Sequence, residues 1–163
     1  MIDTKPPSWR DDVNARIARA IKAARGDRSA QVIADETARL GFPITRDTIA
    51  NIENGRKKSV DVPELIVLAK ALGVPPLRLI YPDLVDSPVQ AYPGVDSTSG
   101  DAALAFSGYD DEDMRMLFDL RAARDQYERY GMSDNEIERD NARQTRSMAE
   151  RFARNKGWVV NDG

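Results

Sequence analysis

The chain has 163 residues and a formal net charge of −3, and it contains neither cysteine nor histidine. These two absences exclude disulfide scaffolds, zinc fingers, thiol nucleophiles and Ser-His-Asp triads, and a metal site would have to be built from carboxylates alone. The charge is unevenly distributed, because residues 1–80 carry 14 basic and 10 acidic side chains whereas residues 82–113 carry eight acidic side chains and no basic one.

The first helix is predicted at residues 9–25, and Gly26 ends it. Four apolar residues recur there at the spacing of one helical face: Val13, Ile17, Ile21 and Ala24. Trp9 opens this helix, and two interpretations remain open for it. We favour a structural role, as a cap on the core of a small domain, over a role as an aromatic stacking platform.

Two further helices are predicted at residues 30–40 and 46–54, behind the N-caps Ser29 and Thr45. Gly55 ends the second of them in the left-handed conformation that only glycine adopts at little cost. The predicted inward residues are Ile33, Thr37 and Leu40 in the first of these helices, and Ile49 and Ile52 in the second.

Two more helices complete residues 1–81. The longer one follows Asp61, with Pro63 in its first turn, where a missing N–H costs nothing, and Gly73 ends it. The shorter one begins after the Pro-Pro pair at residues 75–76. The predicted inward residues of the longer helix are Leu65, Leu68, Ala69 and Leu72, and the shorter helix contains Leu77 and Ile80.

Residues 82–110 predict an acidic connector rich in Pro, Gly, Ser and Asp, with one short helix near residues 101–106. Two polar helices are predicted beyond it, at residues 111–130 and 133–156, and Ser133 with Glu136 has the spacing of a capping box. Their apolar stripes are thin, consisting of Met114, Leu117, Leu120 and Tyr127 in the first and of Ile137, Met148 and Phe152 in the second.

The most informative segment is residues 29–58, SAQVIADETARLGFPITRDTIANIENGRKK. Its informative features are Ser29 opening the second helix, Ile33-Ala34 within it, Thr45-Arg46 opening the third, and the run IANIENGR at 49–56. The run LAKALGV at 68–74, in the fourth predicted helix, adds to them. With these features residues 13–81 resemble the lambda-repressor-like, or Xre-family, helix-turn-helix regulators, most closely a subgroup common in actinobacteria and their phages. The connection at residues 39–44 is longer than the usual three or four residues, a feature that the subgroup shares.

The resemblance implies an all-α fold. It would comprise a five-helix lambda-repressor-like DNA-binding domain at residues 1–81, a Pro/Gly/Asp-rich connector at 82–110 and two polar helices at 111–163. It also implies a transcriptional regulator that binds double-stranded DNA sequence-specifically, most simply a repressor, with phage immunity repressors among the candidates. In such domains the second helix of the motif, here residues 46–54, reads the major groove.

Three side chains are predicted to read bases: Arg46, Asp47 and Asn51. Because Ile49 and Ile52 face inward, these three lie on the outer side of the helix, towards its N-terminus. Arginine suits guanine, asparagine suits adenine, and aspartate can accept from cytosine N4. Two alternatives remain open, since Asp47 can simply complement the helix dipole and Arg46 can contact a phosphate.

Phosphate contacts are predicted from the N-terminus of the second helix, the start of the third, and the basic turn that follows it. The residues are Ser29, Ala30, Thr45, Thr48, Asn54, Gly55, Arg56, Lys57 and Lys58. Ordinary loop solvation is the alternative for the basic turn. Glu53 is expected to be structural and to pair with a basic residue of the first or second helix.

The two C-terminal helices leave two interpretations open. In one they mediate self-association of a repressor, because dimers read paired half-sites. In the other the protein is an antitoxin or adaptor whose C-terminal helices bind a protein partner, with DNA binding for autoregulation. The arginines of the last helix alternate with acids, which favours an exposed or partner-binding helix over a second DNA-binding element.

Enzymatic activity is not expected, since the chain has no His, no Cys and no recognisable convergent acid pair. It contains no calcium loop and no Gly-rich phosphate loop, so we expect no metal, no cofactor and no small-molecule ligand. No apolar run approaches the roughly 18 residues of a membrane span, and no signal-peptide core follows the first residues. We therefore expect a cytoplasmic protein without a membrane partner.

Overall fold

A computed structural model describes residues 8–83, 85–109 and 111–160. The elements in chain order are α1 Trp9–Arg25, α2 Ala30–Arg39, α3 Arg46–Glu53, α4 Val62–Leu72, α5 Pro76–Ile80, β1 Pro88–Tyr92, β2 Val95–Thr98, α6 Ser99–Phe106, α7 Glu112–Tyr130 and α8 Glu136–Asn155. These ranges are mostly helical, which confirms the helical fold class in its coarse form. The chain divides into two compact units between residues 103 and 104. Within the described ranges, no helix combines the length and the apolar character needed to cross a membrane.

Helices α1 to α5 enclose the core of the first unit. Almost fully buried aliphatic side chains come from each of them: Ile21, Ile33, Ile49, Ile52, Leu68 and Leu79. Burying one such side chain contributes about 1.5–3 kcal/mol, so this cluster is the main source of stability for the unit. In α5 the buried residue is Leu79, whereas Leu77 and Ile80 are half-buried and pack against a smaller cluster around Tyr81.

Short polar side chains begin α2 and α3 at the predicted positions. Ser29 Oγ accepts from the N–H of Val32 at 3.2 Å, and Thr45 Oγ1 accepts from the N–H of Thr48 at 3.1 Å. Each bond satisfies one of the N–H groups that the first turn of a helix leaves open. The start of each helix is therefore determined by residues within one turn of it.

The long connection between α2 and α3, residues 40–45, is held by the hydroxyl of Thr37. This side chain is fully buried, and its Oγ1 donates to the carbonyl of Ala34 at 2.8 Å and accepts from the N–H of Ile44 at 2.9 Å. Ile44 is itself buried and anchors the end of the connection in the core. Leu40 was predicted to face inward but is exposed, because α2 ends one residue before it.

The acidic connector contains a β-hairpin that the sequence analysis did not predict. Strands β1 and β2 pair antiparallel, with Pro88 opposite Thr98, and α6 begins directly after β2. The indole Nε1 of Trp9 donates to the carbonyl of Gln90 at 3.0 Å and so joins α1 to β1. This contact favours the structural interpretation of Trp9. Pro, Gly and Ser mark a chain reversal but do not distinguish an irregular loop from a short hairpin.

In the second unit, α7 and α8 form a helical hairpin with a small core. Its buried apolar residues are Leu120, Ala123, Ala142 and Ala153. Because alanine buries little apolar area, this core contributes less than that of the first unit. Four residues of the predicted apolar stripes, Leu117, Ile137, Met148 and Phe152, are exposed instead.

A buried carboxylate, Glu150, joins the two helices of this hairpin. Its Oε1 accepts from Nε of Arg124 on α7 at 3.3 Å and from Nε of Arg146 on α8 at 2.9 Å. The Arg146 guanidinium also lies over the ring of Tyr127, 4.5 Å from its centroid. Burial raises the pKa of Glu150, but the hydrogen bonds and charges of Arg146 and Arg124 outweigh it, so the net pKa is below its ordinary value.

Helix α8 begins at a different residue from the predicted one. Its N-cap is Asn135, whose side-chain oxygen accepts from the N–H groups of Ile137 and Glu138. Ser133 instead donates from Oγ to the carboxylate of Glu138 at 2.9 Å, so the predicted capping box with Glu136 is not formed. Serine and asparagine are both good N-caps, and they stand two positions apart, so the local pattern did not discriminate between them.

Candidate nucleic-acid interface

Helix α3 presents one face to the core and the other outward. Ile49 and Ile52 are 0 % and 2 % exposed, whereas Arg46 and Asp47 are exposed and Asn51 is half-buried. A helix of eight residues has little stability of its own, so the two buried isoleucines determine which way it faces. The three predicted base-reading side chains consequently stay outside the core.

The polar groups of these three side chains have no partner among the residues that the structure describes. In the part of the chain that the structure describes, no residue forms a hydrogen bond or an ion pair with the side chain of Arg46, Asp47 or Asn51. The arginine offers donors, the aspartate acceptors, and the asparagine both. The surface of α3 can therefore both donate to and accept from the edges of bases.

An open groove between α2 and α3 brings further polar groups to the same surface. It is lined by Gln31 and Asp35 of α2 together with Thr45, Arg46 and Asp47. Gln31 Nε2 donates to Asp35 Oδ1 at 2.8 Å, which holds the amide beside the groove. Gln31 is not among the residues predicted to contact DNA. Its only signal in the sequence is an amide side chain at the second residue of α2, outside the predicted inward stripe.

The start of α2 has the features of an anion contact. The backbone N–H groups of Ser29 and Ala30 have no acceptor among the described residues. Open N–H groups at the N-terminus of a helix favour a phosphate. At the start of α3 the hydroxyls of Thr45 and Thr48 lie 2.9 Å apart and add a second set of polar groups.

The basic turn, residues 54–58, folds back onto α3. Gly55 has a φ of +68°, the left-handed conformation predicted for it. The N–H groups of Arg56 and Lys57 both donate to the carbonyl of Asn51, each at 2.9 Å. The backbone of the turn is therefore bonded to the residue whose side chain is predicted to read a base.

The three cations of this turn differ in their surroundings. Arg56 and Lys58 are exposed, whereas Lys57 is half-buried and forms an ion pair with Glu64 of α4. All three were predicted to contact phosphates. The sequence does not distinguish them, because the pairing of Lys57 depends on how α4 packs beside the turn.

An ion pair between α1 and the C-terminal end of α3 fixes α3 to the rest of the unit. Nε and Nη2 of Arg25 donate to the two carboxylate oxygens of Glu53 at 2.7 and 2.8 Å. This hydrogen bond raises the pKa of Arg25 above its ordinary value. The expectation that Glu53 pairs with a basic residue of the first or second helix is confirmed.

Residues 38–79 match a family model described as helix-turn-helix. The match begins at the end of α2 and includes all of α3 and α4. No curated protein and no solved structure matches the chain. The match supports double-stranded DNA as a ligand of the protein and a DNA-binding transcription regulator as the class of protein.

Proposed function

We propose that this protein is a repressor that binds an operator sequence-specifically, reading the major groove with residues 46–54. The observation that carries the proposal is the state of α3: its inner face is held by two buried isoleucines, while Arg46, Asp47 and Asn51 have no partner among the described side chains. The resemblance to the Xre family makes a phage immunity repressor one form of this function.

The chemistry of the three side chains suggests what they read. An arginine fork can donate twice to guanine O6 and N7, and an asparagine amide can both donate to and accept from adenine. An aspartate can accept from the amino group of cytosine. The start of α2 and the exposed cations of the basic turn, Arg56 and Lys58, supply phosphate contacts that position the protein without carrying sequence information.

The experiment that tests this function begins with selection of an operator from random duplex DNA. Arg46→Ala and Asn51→Ala should each weaken binding to that operator by about 1–3 kcal/mol, while binding to random duplex changes little. Mobility-shift titrations measure both affinities. Arg78→Ala, which removes an exposed cation from α5, is the matched control and should leave both affinities unchanged. Equal losses on operator and random DNA for Arg46→Ala and Asn51→Ala would contradict base reading.

Self-association through α7 and α8 is part of the same proposal. Met116, Ala149 and Phe152 line a groove of about 310 Å³ between these helices, beside the charged residues Glu112, Arg115 and Asp119. Arg115 lies about one helical turn from each acid, so antiparallel pairing with a second copy can bring it opposite a carboxylate of that copy. Such self-complementarity is what a two-fold symmetric interface requires.

The second candidate function is an antitoxin or adaptor, and two exposed apolar residues of α8 favour it. Phe152 and Met148 are 53 % and 46 % exposed on α8, which is compatible with a protein partner other than a second copy. The two functions differ in stoichiometry. A toxin-like partner gives a stable heteromeric complex in place of the homodimer, whereas a repressor is a homodimer that binds a palindromic operator by itself.

A further inference from the structure

We infer that Lys57 is a positioning residue for base reading and not a phosphate contact, because its ion pair with Glu64 holds the basic turn against α4. The inference rests on the proposed function, since it assigns a role within the DNA-reading surface. It separates Lys57 from its neighbours Arg56 and Lys58, which carry the same kind of charge.

The carboxylate of Glu64 is held from two sides. Its Oε1 pairs with Lys57 Nζ, and its Oε2 accepts from the backbone N–H of Asp61 at 3.1 Å, in the capping box that begins α4. The Glu64 side chain is only 12 % exposed, and that of Lys57 is 30 % exposed. If the ammonium of Lys57 moved away, the largely buried carboxylate of Glu64 would be left without its counter-charge, which is strongly unfavourable. The ion pair is therefore expected to persist in the folded protein.

The turn that Lys57 holds is joined to α3 and α1 as well. The N–H groups of Arg56 and Lys57 donate to the carbonyl of Asn51, and Nδ2 of Asn14 on α1 donates to the carbonyl of Lys58 at 2.7 Å. Three helices thus anchor five residues of chain. Because the turn is hydrogen-bonded to the backbone carbonyl of Asn51, a displacement of the turn also displaces Asn51. The Asn51 side chain, which is predicted to read adenine, then moves as well.

Arg56 and Lys58 are the cations that remain for phosphates. Both are exposed, and neither forms an ion pair with any residue that the structure describes. Each phosphate neutralised on B-DNA contributes about −0.9 to the slope of log K against log salt concentration. A true phosphate contact and a positioning residue can therefore be distinguished by the salt dependence of binding.

The experiment compares Lys57→Met with Lys58→Met in the full chain, on the selected operator and on random duplex DNA. Lys58→Met should reduce the slope by about 0.9 on both DNAs and leave the ratio of operator to random affinity unchanged. Lys57→Met should leave the slope unchanged and lower that ratio at least about fivefold, the lower limit for losing one bidentate base contact. In an Asn51→Ala background, the effect of Lys57→Met on the ratio should disappear.

Glu64→Gln covers the case in which Lys57→Met fails to fold, because a glutamine can still accept from the N–H of Asp61 and only the charge that pairs with Lys57 is lost. This variant should lower the operator-to-random ratio as Lys57→Met does. The inference is overturned if Lys57→Met reduces the slope as Lys58→Met does, or if Glu64→Gln leaves the ratio unchanged while the protein remains folded. Failure of the unaltered protein to bind any duplex at low salt is a different result, and it removes the proposed function together with this inference.

Discussion

Thr37 is a polar residue in an apolar core, and its hydroxyl connects α2 to the start of α3. The single Oγ1 donates to the carbonyl of Ala34 and accepts from the N–H of Ile44, so two buried backbone groups depend on it. A buried N–H without an acceptor costs more than an average hydrogen bond contributes, because it has been removed from water with nothing in exchange. This one side chain makes a connection of unusual length compatible with a compact motif.

We predict that Thr37→Val lowers the free energy of unfolding by about 1–3 kcal/mol, because the substitution keeps the shape of the side chain and removes only the hydroxyl. Thermal or urea unfolding measures the change. Thr145→Val is the matched control, because Thr145 is an exposed residue of α8. The free energy of unfolding of this variant should stay within about 0.5 kcal/mol of that of the unaltered protein. An unchanged midpoint for Thr37→Val would show that the connection does not need this bridge.

The helical hairpin of α7 and α8 combines a small alanine core with a charged cluster. Glu150 accepts hydrogen bonds from an arginine on each helix, and its net pKa is below the ordinary value. A carboxyl whose pKa is lowered by folding adds stability above its unfolded pKa and loses that contribution as the pH falls through the folded value. Protonation of Glu150 at low pH should therefore lower the stability of the helical hairpin.

We predict that Glu150→Gln is less stable than the unaltered protein at pH 7, and that the difference shrinks as the pH falls below 4.5, the ordinary pKa of this group. Unfolding followed by far-UV circular dichroism between pH 7 and pH 3 measures it. Glu128→Gln, an exposed position on α7, controls for the general effect of removing a negative charge. If the difference in stability between Glu150→Gln and the unaltered protein stayed constant from pH 7 to pH 3, the ionised form of Glu150 would contribute nothing to the stability of the protein.

At the scale of the whole molecule, residues 1–80 carry the basic excess, and the two C-terminal helices carry exposed large apolar residues of their own, among them Leu117, Met148 and Phe152. A short reading helix contacts few base pairs, and regulators of this kind gain affinity by placing two copies on half-sites one helical turn apart, about 34 Å. The proposed association of the hairpins supplies the second copy.

We predict that Phe152→Glu shifts the protein from dimer to monomer and weakens binding to a palindromic operator more than to a single half-site, since a buried unpaired charge opposes association. Sedimentation velocity over a range of protein concentrations measures the first effect, and mobility shifts measure the second. Met132→Glu, at an exposed residue between α7 and α8, is the control and should leave the dimer intact. A protein that is monomeric before any substitution would exclude this interface.

The amino-acid sequence by itself determined those features that depend on neighbours within one or two turns of helix. Ser29 and Thr45 begin α2 and α3 because each hydroxyl reaches an N–H three residues ahead. Ile49 and Ile52 turn inward because their spacing puts both on one face, and this leaves Arg46 outside. Such interactions are local, so a pattern in the chain is sufficient to predict them.

Only the tertiary structure decided the features that join distant parts of the chain. Lys57 differs from Lys58 because α4 places a carboxylate beside one ammonium and not the other, and no local pattern contains that information. The bond between Trp9 and Gln90 spans 81 positions and depends on a hairpin whose residues also suit a loop. Packing brings these groups together, and burial then gives each contact an energy that depends on its surroundings and not on its place in the sequence.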